Sequence, residues 1–134
     1  MTDLAFLDSN VLLYAVGDDA VRRDVAEALI AQRPVVSAQV LAETSAVLRR
    51  KFGLAPSAIA KILEAVLTQV RCEPLSAQTV LSALHWGERL GYSHYDSQII
   101  SAALEAGCGV LYSEDMQHGQ VIDGRLTIVN PFMA

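Results

Sequence analysis

Cysteine is scarce in this chain of 134 residues: Cys72 and Cys108 are the only two. They are too few for a disulfide framework and lack metal-type spacing, so they read as small buried apolar residues in a cytoplasmic protein. No apolar run approaches about 18 residues, which excludes a membrane-spanning helix. The opening Met1-Thr2-Asp3 lacks the basic region of a secretory leader and carries an acid instead. Internal repeats, low-complexity tracts and linkers are missing too. So is a basic excess: the net charge of −5 argues against nucleic-acid binding through the whole surface.

What is present suits one domain spanning residues 1–134. Hydrophobic residues make up 52% of the chain. A chain this long buries roughly two thirds of its unfolded surface and needs no staple. Short apolar runs read as strands at 4–7, 34–36, near 70–72, at 110–112 and at 126–129. Helical patterns fill the gaps. One runs from about 9 to 15. A second is capped by Asp18 or Asp19 and reaches about Gln32. A third is capped by Ser37 and reaches about Lys51. A fourth starts at Ser57, with Ile59, Ile62, Leu63, Val66 and Leu67 at helical spacing. A fifth runs from about Ala77 to Gly91, and a sixth is opened by Ser93 and Asp96 and ends at Gly107. Strands alternating with helices predict a three-layer α/β fold with a mostly parallel sheet. Ligands of such sheets gather at the carboxyl ends of strands.

Four acids sit where core-building sequence avoids charge. Asp8 ends the run Leu4-Ala5-Phe6-Leu7, and Asp115 follows Val110-Leu111-Tyr112. Glu43 borders the stripe Val40, Thr44, Val47 and Leu48 on a helical projection, and Asp96 opens a helix. Each has a plain local role to weigh. Asp8 can cap a helix, although Ser9 and Asn10 can do so as well. Glu43 can reach Arg50 or Lys51. Asp96 fits a capping box with Ser93, and Asp115 a turn, with Glu114 and Asp123 as rival acids nearby. Taken together, carboxylates at element ends from distant parts of the chain suggest one site. Their mutual repulsion calls for a cation, and a divalent metal with oxygen ligands is the simplest.

Basic residues are clustered rather than spread. Arg22-Arg23 form one group and Arg49-Arg50-Lys51 another. Such groups can be solvated helix faces, or they can hold phosphates beside a metal site. The histidines offer less. His85 lies on an apolar-rich helix, where a structural role is expected. His94 and His118 fall near the acids but are not needed as general bases.

At four segments the sequence resembles the PIN-domain ribonucleases, in particular the VapC-like toxins of bacterial toxin–antitoxin pairs. The segments are Phe6-Leu7-Asp8-Ser9-Asn10-Val11-Leu12-Leu13-Tyr14, Ser37-Ala38-Gln39-Val40-Leu41-Ala42-Glu43-Thr44, Ser93-His94-Tyr95-Asp96-Ser97-Gln98-Ile99-Ile100 and Leu111-Tyr112-Ser113-Glu114-Asp115-Met116-Gln117-His118-Gly119. The resemblance implies Mg²⁺- or Mn²⁺-dependent endoribonuclease activity. Asp8, Glu43, Asp96 and Asp115 would hold the metal, and an activated water would attack the phosphodiester in line, leaving 5′-phosphate and 3′-hydroxyl ends. Asn10 and Ser113 match polar positions beside the acids. Arg49, Arg50 and Lys51 could meet RNA phosphates. A homodimer and a cognate antitoxin are the implied partners, with the apolar edges of the helices at about 20–32 or 57–70 available for dimer contact.

Two other readings set the comparison. A catalytically inactive PIN-like binding module would have lost one or more acids, and none is lost here. A phosphoacceptor or phosphatase domain would want an acid two residues after Asp8, where Asn10 stands, or a later lysine, and no lysine follows Val110.

Overall fold

The computed structural model describes residues 4–133, so Met1-Thr2-Asp3, on which the leader reading rests, lie outside the described residues. Six strands form one sheet: β1 (Ala5–Leu7), β2 (Val35–Ser37), β3 (Arg71–Glu73), β4 (Val110–Tyr112), β5 (Val121–Ile122) and β6 (Leu126–Val129). Their order is β3-β2-β1-β4-β6-β5. All neighbours are parallel except β5, which runs antiparallel to β6. The mostly parallel α/β architecture expected from the alternation is therefore present. Strand order reverses between β1 and β4. Successive connections leave that point in opposite directions, which opens a crevice at the carboxyl ends of these two strands.

The central strands carry residues that cannot face water. Phe6, Leu7, Val35, Val36, Leu111 and Ile128 are fully buried, as expected where helices cover both faces of a parallel sheet. The helices are α1 (Ser9–Ala15), α2 (Ala20–Ile30), α3 (Ala38–Arg50), α4 (Pro56–Leu67), α5 (Ala77–Leu90) and α6 (His94–Glu105). α1 packs on α2 and α3, α3 on α4, and α5 along α6. Every residue from Ser97 to Leu104 of α6 is buried. Where α5 meets α6, a Cβ added at Gly87 would lie 3.1 Å from Ser97 Oγ, so that hydroxyl would have to shift by a few tenths of an ångström.

Most helix starts match the sequence signals. Asp19 caps α2, Ser37 caps α3 and Ser93 caps α6 through their side chains. α4 begins one residue earlier than Ser57 suggests. Pro56 takes the first helical position, where its missing N–H costs nothing, and Ala55 precedes it without a side-chain cap. β5 is an element the apolar pattern did not reveal. Two residues are too short to show alternation, though Val121 is exposed and Ile122 buried as an edge strand requires. The usable signal was Asp123-Gly124. Both adopt positive φ, 55° and 62°, and Arg125 N–H closes the turn on the Ile122 carbonyl at 3.0 Å. This is the type I′ hairpin chemistry that Asp-Gly favours.

Two smaller expectations need correcting. Cys108 is buried but Cys72 is only half-buried, because its strand β3 lies at the sheet edge. His85 is exposed, its ring meeting Trp86 edge-on, so the apolar composition of α5 does not bury it. Exposed apolar residues lie on α2 (Val21, 75%) and α4 (Leu67, 41%), the helices expected to show an apolar edge, and also on α5 at Leu81 and Leu84, 61% and 56%. No helix among the described residues is long and apolar enough to cross a membrane.

α5 also has a reciprocal capping box. Ser76 Oγ accepts from Thr79 N–H at 3.1 Å, and Thr79 Oγ1 accepts from Ser76 N–H at 3.3 Å. We expect Ser76→Ala to lower unfolding free energy by about 1 kcal/mol in urea titrations, since a helix N–H loses its partner.

Candidate active site

Asp8 leaves β1 directly into α1, at the strand-order reversal. Its backbone N–H donates to the Tyr112 carbonyl at 3.0 Å, which ties the ends of β1 and β4 together. The side chain caps α1 itself: Ser9 N–H donates to Oδ1 at 2.7 Å. Ser9 and Asn10, the alternative caps, are thereby free for other contacts. Ser113 Oγ donates to Asp8 Oδ2 at 2.8 Å and accepts from Asp115 N–H at 3.1 Å. Asn10 stands between two acids, its Nδ2 at 3.4 Å from Asp8 Oδ2 and 3.2 Å from Asp115 Oδ2. Its Oδ1 accepts from Glu114 N–H at 3.2 Å. The polar positions read beside the acids, Asn10 and Ser113, thus connect the β1 end to the β4 end.

Asp8 is only 3% exposed. Burial pushes its carboxyl up to about 6, opposed by the Ser113 and Ser9 hydrogen bonds and reinforced by the charges of Asp96 and Glu43. Glu43 is half-buried on α3. Burial raises its pKa first; the Gln39 amide opposes this, and the charges of Asp96 and Asp115 add to the rise. Asp96 is raised by burial and then by Asp115, while its Ser93 hydrogen bond lowers it. Ser93, not Asp96, caps α6, because Ser93 Oγ accepts Asp96 N–H at 3.2 Å. The Asp96 carboxylate is not spent on the cap. These cross-influences place Asp8, Glu43, Asp96 and Asp115 within electrostatic reach of one another, although 107 residues separate the first from the last in sequence.

Among the described residues no cation pairs with this group. The three ion pairs among the described residues are Arg22–Asp19, Arg71–Glu73 and Arg125–Asp123, all away from the four acids. The expected reach of Glu43 to Arg50 or Lys51 is not among them. Instead Glu43 Oε1 is buried without a hydrogen-bond partner. The rival acids have partners of their own, although Glu114 Oε2, like Glu43 Oε1, is buried without a hydrogen-bond partner. Glu114 accepts from Tyr14 Oη at 3.0 Å, and the Arg22 guanidinium lies 5.4 Å from the centre of that ring. Asp123 sits in the β5–β6 turn at the amino end of β6, opposite the carboxyl ends, and bonds Arg125 at 2.7 Å. Among the described residues no three metal-ligating side chains are grouped as a ready cation cage.

The other candidates lie further out. Arg49, Arg50 and Lys51 are exposed at the end of α3, and Arg49 borders a shallow groove with Ser45, Ala46, Pro56 and Ile59. Arg49 stands six residues, about 9 Å of helix, beyond Glu43. His94 and His118 are exposed, and His118 Nδ1 accepts Asn130 N–H at 3.0 Å. A larger cavity of about 830 Å³, lined by Gln32, Cys108, Tyr112 and Arg125 among others, includes none of the four acids. Two residues not singled out from the sequence stand behind the acids: Gln39 and Gln98, buried and hydrogen-bonded to each other at 2.9 Å. Their only sequence signal is a polar amide on an otherwise apolar helix face.

The PIN-domain family model matches residues 5–122, and the chain belongs to that family. Solved structures extend the likeness. A VapC20 toxin from Mycobacterium tuberculosis, described as cleaving the sarcin–ricin loop, is 26% identical, with 83% of this chain and 89% of that one covered and a TM-score of 0.68. A toxin–antitoxin complex from Klebsiella pneumoniae is 15% identical over 97% of this chain and 99% of that one, with a TM-score of 0.73. VapBC2 from Rickettsia felis, bound to a promoter DNA fragment, is 19% identical over 93% and 96%, with a TM-score of 0.67. No curated protein sequence matches the chain.

Burial of Asp8 has a consequence for stability. Its folded pKa of about 6 lies above the ordinary 3.8. Between these values the folded state holds a proton that the unfolded state has lost. Stability from this group is therefore fully present below about pH 4, falls as pH rises to about 6, and stays lower above. The displacement corresponds to about 3 kcal/mol. Asp8→Asn keeps a capping oxygen and removes the charge. We expect the metal-free variant to unfold at higher urea than wild type at pH 7.5, with the gap closing toward pH 4.

Proposed function

We propose that this chain is a Mg²⁺- or Mn²⁺-dependent endoribonuclease acting as the toxin of a toxin–antitoxin pair. The observation that carries the reading is the mutual electrostatic influence of Asp8, Glu43, Asp96 and Asp115 near the β1/β4 reversal, with no cation among the described residues paired to them. Membership of the PIN family and the likeness to VapC toxins support it.

The residues fit a hard divalent cation in donor chemistry. All four are carboxylates, and Glu43 Oε1 is a buried acceptor that has no hydrogen bond to lose. Asp8, Glu43, Asp96 and Asp115 would hold the ion. When bound, such an ion supplies a lowered water pKa and charge to offset the departing oxygen. The chain's own residues do the positioning. Ser113 orients Asp8 Oδ2 while fixing the backbone of Asp115. Asn10 bridges the two acids and holds the Glu114 backbone, so that Glu114 turns to Tyr14 and Asp115 to the site. Arg49, Arg50 and Lys51 would contact RNA phosphates flanking the cleaved bond. An antitoxin basic side chain would suit the acidic site in place of metal, and a homodimer is the assembly we propose.

Purified wild type should cleave RNA only with Mg²⁺ or Mn²⁺, leaving 5′-phosphates, and its expression alone should arrest growth. Asp8→Asn and Asp96→Asn should lose cleavage by at least about a hundredfold, the scale of losing a group that stabilises a transition state, and neither should arrest growth. Both variants should remain folded by circular dichroism. Wild-type cleavage by either would remove the site assignment, and equal toxicity of Asp8→Asn would remove the toxin role.

The basic cluster is tested separately. Neutralising Arg49, Arg50 and Lys51 together should weaken RNA binding. It should also flatten the slope of log affinity against log salt, by about 0.7 for each single-strand phosphate that the cluster no longer neutralises. An unchanged slope would make the cluster a solvated helix end.

A further inference from the structure

Two glutamines buried behind the acids bear directly on how Glu43 and Asp96 are kept apart. Gln39 and Gln98 are 8% and 4% exposed. Gln98 Nε2 donates to Gln39 Oε1 at 2.9 Å, linking α6 to α3 across 59 residues of sequence. Gln39 Nε2 in turn donates to the Tyr95 carbonyl at 2.9 Å. Gln39 therefore grips α6 at Tyr95 and at Gln98, on both sides of Asp96. On its own helix Gln39 precedes Glu43 by one turn, so the two side chains share a face. Burying two primary amides is costly unless each finds partners, and leucine at both positions would fill the space more cheaply. What leucine lacks is direction. Amide hydrogen bonds fix the rotation and register of one helix against the other, whereas apolar contacts tolerate sliding.

Direction matters here because Glu43 and Asp96 repel. Among the described residues no positive charge pairs with either acid, and free helices would relieve the repulsion by turning the acids apart. We infer that the Gln39–Gln98 bond, with the Gln39 bond to the Tyr95 carbonyl, is a positioning device that holds Glu43 and Asp96 at a separation suited to one cation. The inference rests on the metal-site reading above. Both glutamines are positioning residues: they act through the carboxylates and do not touch the ion.

The test is a titration of the metal-free protein with Mn²⁺, read as the thermal midpoint, so that it does not depend on cleavage. The paired variant Gln39→Leu/Gln98→Leu removes both amides together and leaves neither half of their mutual bond orphaned, so its midpoint without metal should stay near wild type. We expect the Mn²⁺ concentration giving half of the shift to rise about tenfold or more, the usual scale for losing a residue that orients a ligand. If the paired variant does not fold, Gln98→Met, which retains volume and the Gln39–Tyr95 bond, is read in the same titration and should show a smaller rise in the same direction. A folded variant with the wild-type Mn²⁺ dependence would overturn the positioning role and leave the metal site standing. A wild type that shows no Mn²⁺ response would overturn the metal reading and this inference with it.

Discussion

Burial of the Asp8 carboxylate is the constraint around which the rest of this site is arranged. A charge at a position 3% exposed is expensive to keep, and the chain surrounds it with donors rather than a counter-ion. The Ser9 N–H and the Ser113 hydroxyl take its two oxygens. Each donor comes from a different element, one from α1 and one from the end of β4. The hydrogen bonds that make the charge tolerable therefore also join the two strands at which the sheet order reverses. Asn10 extends the same connection to Asp115 and to the Glu114 backbone.

From that point the acids are assembled by elements that have their own reasons to form. β1 and β4 are parallel neighbours whose residues are wholly or largely withdrawn from water. α6 is buried along most of its length, yet its first turn emerges at the carboxyl end of the sheet, which leaves Asp96 half-exposed while Ser97 onward is enclosed. Capping by Ser93 spares the Asp96 carboxylate. α3 contributes Glu43 from its second turn, with the buried glutamine pair behind it. The scaffold thus supplies rigidity by packing, and a small number of polar contacts turn that rigidity into placement of charge.

Much of the fold was legible in the chain because it depends on local pattern. Ser37, Asp19 and Ser93 are caps by chemistry, and the structure uses each as such. Gly91 ends α5 with φ 79°, a conformation glycine adopts without strain. The misses are of a different kind. β5 has two residues and no period to read, and only its Asp-Gly turn announces it. His85 and Cys72 could not be placed because exposure depends on what packs opposite, which composition does not state.

The sequence by itself determined the alternation of strands and helices and the places where acids interrupt apolar runs, because both follow from residue type and spacing along one chain. It could not decide among Glu114, Asp115 and Asp123, which differ little in local chemistry. Tertiary structure separated them by direction and distance. Glu114 meets the Tyr14 hydroxyl, Asp123 is carried to the far end of the sheet by a hairpin, and Asp115 meets Asn10 beside Asp8. Nor could the chain show that Asp8 would be buried, or that Gln39 and Gln98 would meet. Those facts arise only when residues 59 and more positions apart are brought into contact, and long-range contact is the property that local pattern does not encode.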